Sequence, residues 1–457
     1  MKVILTWLYF VLPIFWLAIP VLAQDTQVNE GNESVSASST ILLNETMNPS
    51  EGTNSIVQFI SIAFENNPRI SAAKAEWSAA VAIYPQMRSW PDPIINFKWA
   101  PEPIETRNGA IDFGVQLMQM IPNPRKLDLK GDRAITMAEM AQVKYEKIVR
   151  DVIIDTTKSY LESAYLHRAI DIASTNRDLF EQMVELAILR ETQGELGTSE
   201  RYMAESRLAQ AEYEVWLFHE LLEVESANMR KLLGMEPDTE LPRILLPDAT
   251  PIEFDLAIIR QSVLDHRQEL EMAGLSVEFA ELGVSLAKSL RAPDYSIGFM
   301  YNSIGVSPMG EDMGTSGDDA YAFMLGITIP LWGGKNSARI SEAESKLKAA
   351  RANFENQDAV ATSSADQLFW QLRNQGRLVV LYRDTLLPEA RHASLLAQTW
   401  YENESVPFSQ LIEARLVVTN FELAAARAST DYLQSLAELE RLAGVPLTQE
   451  AEAEVEE

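Results

Sequence analysis

The sequence contains no cysteine. That excludes disulfides, thiol catalysis, thiolate-bound zinc, iron–sulfur clusters and lipid anchors attached through sulfur. Histidine is scarce, with four in 457 residues, so little is left for metal ligation or proton transfer. Positive charge is in deficit: 38 Lys and Arg stand against 66 Asp and Glu, a net charge of −28. No basic patch to meet phosphate is expected, and nucleic acid is therefore not an expected partner. Long hydrophobic runs are missing after the first 22 residues, so no later helix is expected to cross a bilayer.

Catalytic patterns are missing as well. His219-Glu220 opens like a zinc-protease motif, but Glu223 stands where the second histidine belongs. His167, His266 and His392 are scattered. Trp332-Gly333-Gly334-Lys335 has the wrong glycine spacing for a phosphate loop. Met118 and Met120 are soft donors, but two thioethers are too few for a metal site. No nucleophile lies beside a base. The expectation is a protein that is not an enzyme and holds no cofactor or structural metal.

What is present is a well-packed composition, 47% hydrophobic and 23% charged, unlike a disordered polyanion. Lys2 precedes an apolar run, Val3–Leu22, broken by Pro13 and Pro20, and Val21-Leu22-Ala23 offers a cleavage site. This predicts a signal peptide over 1–23, the alternative being an uncleaved anchor. The absence of cysteine at the cut predicts a chain that is not lipidated. Residues 24–54 read as a flexible polar leader, and 447–457 as an acidic, disordered tail.

Between them the chain repeats itself. Pro91-Asp92-Pro93 returns as Ala292-Pro293-Asp294, and Ile121-Pro122 as Ile329-Pro330, each followed by a lysine, Lys126 or Lys335. Glu205-Ser206-Arg207-Leu208 returns as Glu413-Ala414-Arg415-Leu416, Tyr213-Glu214 as Phe421-Glu422, and Leu232-Leu233-Gly234 as Leu442-Ala443-Gly444. The order and gaps are kept, which predicts two structural repeats, 55–234 and 255–446, joined by a linker at 235–254. Each begins with a helical segment, 56–86 or 255–290. Two strands follow, then a very long helix over 127–193 or 336–402, a tight turn and a returning helix. Val149, Val152, Ile153, Thr156, Tyr160 and Ala164 step at three and four along one face. Such a helix is about 100 Å long, more than any compact domain needs.

The strands, 95–99, 111–121, 295–301 and 321–329, alternate. Their odd positions are apolar and aromatic: Phe97, Trp99, Phe113, Val115, Leu117, Ile297, Phe299, Tyr301, Phe323, Leu325 and Ile327 among them. The even positions are small or polar. A soluble sheet with one face on a core is one explanation. Aromatics near the strand ends favour a membrane barrel with the odd residues against lipid. Four strands cannot close a barrel, so several chains would have to share one.

With these motifs in view, together with Ala63-x-x-Asn66-Asn67-Pro68 and the Ile-Pro-x-x-x-Lys strand exit, the chain resembles the TolC-like outer-membrane efflux factors of Gram-negative bacteria over about Ser55–Pro446. The resemblance implies a mainly α protomer with a small β part. Three copies would form one 12-stranded barrel in the outer membrane above an α-helical periplasmic tunnel. It also implies a passive duct for drugs or metal cations, working with a periplasmic adaptor and an inner-membrane pump of RND or ABC type. In that family tyrosine and acidic side chains near the second hairpin constrict the entrance. Tyr401, Gln410 and Glu413 are the matching positions, although Glu413 reads equally as a solvated helix residue. Val406 stands where the best-known members carry arginine and Gln410 where they carry aspartate, so a salt-bridge lock is not implied here. The turns, represented by Gly194, Leu196, Gly197 and Thr198 and by Ser405, Val406 and Pro407, are the candidate adaptor contacts. The competing reading is a soluble periplasmic coiled-coil adaptor or structural protein.

Overall fold

The computed structural model describes residues 55–106, 109–194, 197–306, 317–403 and 405–445. The expected signal peptide, leader, tail and Leu196 lie outside them.

The elements come twice in the same basic order, except that the third helix occurs only in the first set and the long helix of the second is divided. The first set is α1 (Ile56–Asn66), α2 (Pro68–Val81), α3 (Ile83–Arg88), β1 (Ile94–Thr106), β2 (Gly109–Ile121), α4 (Pro124–Gln193) and α5 (Thr198–Leu233). The second is α6 (Leu256–His266), α7 (Gln268–Ser289), β3 (Asp294–Ile304), β4 (Ala320–Thr328), α8 (Gly333–Val380), α9 (Leu387–Glu402) and α10 (Phe408–Ala443).

The opening helices differ from the single segments expected over 56–86 and 255–290. Each is broken at an equivalent place. Asn67 precedes Pro68, and a residue before proline is driven out of the helical region. Its backbone is accordingly extended (φ −69°, ψ 120°). Its carboxamide oxygen then caps α2 by accepting from the Arg69 amide at 2.9 Å, while its Nδ2 donates to the Leu232 carbonyl at 2.7 Å. Arg267 breaks the second repeat with nearly the same angles (φ −75°, ψ 119°) and no proline after it.

Helix α4 runs unbroken for 70 residues. Its counterpart, Gly333–Glu402, is interrupted by a π-helical turn, Leu381–Leu386. Pro388, just beyond it, has no amide to donate and its ring crowds the preceding turn. The Leu387 amide accordingly reaches back five residues, to the Tyr382 carbonyl.

Two cores are built alike. In the first, Phe59, Ile60 and Ala63 of α1 pack on Val152, Tyr160 and Ala164 of α4 and on Met229 and Leu233 of α5. In the second, Ile259 and Val263 of α6 meet Ala365, Phe369 and Leu372 of α8 and Tyr432 and Leu439 of α10. The connecting strap touches both, through Ile244 and Ala249. It is pinned where the Ile252 amide donates to the Tyr432 hydroxyl at 2.8 Å.

The two hairpins form one antiparallel sheet in the order β1-β2-β3-β4. Every strand but β4 is longer than its expected span; β1 continues to Thr106, with a register shift after Trp99, where the chain reaches Pro101. Strand β4 is displaced by one residue.

Candidate functional site

Two regions carry the chemistry expected from the sequence: the faces of the sheet and the tips of the helical hairpins.

The register puts the odd residues of all four strands on one face. Phe97 lies opposite Val115, Val115 opposite Tyr301, and Tyr301 opposite Tyr321. In the next row Ile95, Leu117, Phe299 and Phe323 are aligned, and Ile297 faces Leu325. Trp99 pairs with Phe113, and Tyr295 with Ile327. Among the described residues this face packs on no core. Phe323 and Leu325 are 87% and 89% exposed, Phe97 and Trp99 71% and 74%. Ile297 and Ile327 are exposed, and Val115, Leu117 and Tyr301 are half-buried. Tyrosines sit toward both ends, with Tyr295 six residues, about 20 Å of strand, from Tyr301.

The opposite face carries Asn96, Lys98, Gln116, Ser296 and Asn302. It also carries more thioethers than the two noted in the sequence. Met118 and Met324 flank Gly298 in one row, and Met300 lies in the next. Gln116 Nε2 approaches Met324 Sδ at 3.8 Å. Period-two reading hid this set because two of its members lie in the other repeat.

Where the sheet meets the helices, Lys126 of α4 is buried. Its ammonium donates to Asp294 Oδ1 at 2.8 Å and to the Ala292 carbonyl at 2.7 Å. The Asn123 amide donates to the same carboxylate oxygen at 3.0 Å. The end of β2 and the start of β3 are thereby joined at one point.

At the other end of α4 the turns are capped by backbone chemistry. Gly194 terminates α4 in the left-handed region, φ 76°, with open space around its α-carbon. Gly197 is the N-cap of α5, one residue before Thr198; having no side chain to offer, it is served by Glu200, whose carboxylate accepts from its amide at 3.0 Å. Arg201 ties the hairpin together through Glu191 and Glu205, each at 2.7 Å. Hydrogen bonding to Glu205 raises the Arg201 pKa above its ordinary value. In the second turn Asn403 Nδ2 donates to the Thr399 carbonyl at 2.8 Å, and the Ser405 amide to the Trp400 carbonyl at 2.8 Å. Pro407 precedes α10 as its N-cap.

The gate candidates separate. Gln410 and Glu413 are exposed on α10. Tyr401 is 5% exposed. Its ring packs on Phe408, centroids 5.4 Å apart, within a cluster that includes Phe180, Leu411 and Ile412, and the Arg190 guanidinium covers it at 4.6 Å. In this conformation Tyr401 is part of the packing between the two hairpins rather than of an open surface. Val406 packs against the same cluster, while Gly194, Gly197, Thr198, Ser405 and Pro407 are exposed.

A polar cleft of about 630 Å³ is lined by Arg69, Asp155, Lys158 and Glu162 among others. Most of its charges are already paired: Arg69 with Asp155, Lys158 with Glu438, and Glu162 with Arg427. Among the described residues no group of three or more His, Cys, Asp or Glu side chains is placed to hold a metal ion. His167 and His266 lie against carbonyls of their own helices. Among the described residues no helix is long and apolar enough to cross a membrane.

Residues 259–445 match the family described as outer membrane efflux protein. No curated protein matches the chain in sequence. Solved structures match over most of it. The outer membrane protein VceC of Vibrio cholerae aligns at 17% identity and a TM-score of 0.71, over 85% of this chain and 96% of that one. The CmeC outer membrane channel of Campylobacter jejuni aligns at 14% and 0.70, over 90% and 93%. The MtrE outer membrane channel of Neisseria gonorrhoeae, in its open state, aligns at 16% and 0.70, over 86% and 89%. In sequence over its second repeat, and in fold over most of its length, the chain is similar to the outer membrane efflux proteins, the TolC-like channels.

Proposed function

We propose that three copies of this chain form an outer-membrane channel, the passive exit duct of a tripartite efflux system. The observation that carries the reading is the odd face of the sheet: one continuous apolar, aromatic-ended surface over four strands, which among the described residues is packed on no core and has both sheet edges open. In water such a face is a costly exposed patch. In lipid it is the outer wall of a barrel, provided that neighbouring copies close the edges. Three protomers supply twelve strands, with the polar even face turned to the lumen. Helices of about 105 Å then carry the duct through the periplasm.

The hairpin turns are the surface offered to a periplasmic adaptor, and through it to an inner-membrane pump of RND or ABC type. Gln410 and Glu413 face the entrance. The cargo class is drugs or metal cations, and the chain performs no chemistry on it. It is held in the outer membrane of a Gram-negative cell by its barrel, without a lipid anchor. A soluble periplasmic adaptor would have no use for an aromatic-ended sheet face.

Purified protein reconstituted into planar bilayers tests this. The expected result is discrete, long-lived conductance steps at low protein concentration. Protein that stays in the aqueous phase and gives no steps would contradict the proposal.

A further inference from the structure

The seam between the two repeats is fully described within one protomer: β2 pairs with β3, and Lys126 meets Asp294 beneath the pair. The repeat makes a copy of this seam available at the outer edges. Lys126 is the third residue of α4, and Lys335 is the third residue of α8. The register fixes the other partner. If Ile121 corresponds to Ile329, then Met118 corresponds to Gly326. Met118 faces Ile94, whereas Gly326 faces Ser296. Ile94 therefore corresponds to Ser296, and Asp92 corresponds to Asp294.

Asp92 and Lys335 are both exposed, and among the described residues neither has an ion-pair partner in its own protomer. They lie at opposite edges of the sheet, next to β1 and β4. The edge rows are also the barest. Phe113 and Phe299, on the strands of the inner seam, are 38% and 40% exposed, about half the values of Phe97, Trp99, Phe323 and Leu325. The helices beneath repeat the asymmetry. Helix α7 packs against both long helices, α4 and α8, whereas α2 packs against α4 and makes no comparable contact with α8. The face of α8 over 341–360 is largely exposed. Each unpaired group has an unpaired complement at the other edge, so the occupant that fits is a second copy of this chain.

We propose that Lys335 of one copy forms an ion pair with Asp92 of the next, and that β4 joins the neighbour's β1 in the register of the inner seam. Leu117 faces Phe299 at that seam, so Leu325 lies opposite the neighbour's Phe97, and Phe323 opposite its Trp99. Helix α2 of the neighbour covers α8. The lysine ammonium also reaches the neighbour's Trp90 carbonyl, the counterpart of Ala292. One difference is built in: the turn before Lys335 is one residue longer than that before Lys126, and Trp332 stands as N-cap where α4 has Asn123. The inference rests on the trimeric barrel proposed above but fixes its register and its charged joint.

The natural lack of cysteine makes the test clean. Leu325→Cys with Phe97→Cys, oxidised in outer-membrane preparations, should give covalent dimers and trimers. Leu325→Cys with Ile95→Cys or Trp99→Cys should give fewer. Asp92→Lys and Lys335→Asp should each lower the temperature at which the trimer dissociates in detergent, and the double variant should recover it. A trimer whose crosslinking peaks at another pair, or whose double variant is no better than the singles, overturns this inference and leaves the barrel standing. A wild-type protein that is monomeric in the membrane overturns both.

Discussion

Gly234 and Gly444 end α5 and α10 in the left-handed region, at φ 64° and 78°. A β-carbon on Gly234 would sit 2.5 Å from the Asn66 carbonyl oxygen, and one on Gly444 2.6 Å from that of His266. The same glycine is thus demanded twice by the end of a short helix packed on the end of a long one. Gly194 has the same φ but nothing within 4 Å. Alanine at 194 should cost only the left-handed penalty, about 1 kcal/mol. Alanine at 234 or 444 should cost about 3 kcal/mol, because a backbone carbonyl must also move. Thermal denaturation of the detergent-solubilised protein should show the larger drop for the latter two, and equal drops for all three would refute the packing argument.

Glu413 is the residue on which the entrance reading depends. It is exposed, as a lumen-facing carboxylate must be, and three copies would make an acidic ring favouring cations. Glu413→Gln should therefore lower the cation-to-anion permeability ratio in single-channel recordings. An unchanged ratio would put the side chain outside the conduction path.

At the scale of the elements, much was legible because the physical signal is periodic. A step of two put the aromatic residues of all four strands on one face, and steps of three and four gave both long helices to within a few residues of their starts. What escaped depended on contacts remote in sequence. The breaks at Asn67 and Arg267 follow from the fit of α1 and α6 against the ends of α5 and α10, and only Pro68 gave local warning. The π turn needs Pro388 to be accommodated inside a helix already held by its neighbours. Tyr401 could be placed near the tip but not turned inward, since its partners Phe180 and Phe408 belong to different hairpins.

The sheet offers its own test. Leu325 lies mid-strand on the apolar face, and Ala322 on the opposite face. Leu325→Arg should destabilise the inserted protein by about 2–4 kcal/mol if that face meets lipid. Ala322→Lys, turned to the lumen, should be tolerated. The readout is the fraction of folded, heat-modifiable protein in outer-membrane preparations. Equal loss from both substitutions would refute the assignment of faces.

For the whole molecule, duplication is the governing fact. Each repeat has two strands, and among the described residues two repeats give a sheet whose edges remain open and whose apolar face is left uncovered. In the proposed trimer the net charge of −28 per chain would be tripled, and the repulsion would keep the wetted surfaces of separate particles apart. All of this depends on three copies meeting in a membrane. Native mass spectrometry of the particle extracted from outer membranes in mild detergent measures it directly. The account predicts a single species of three chains, while a single chain recovered from the soluble periplasmic fraction would contradict it.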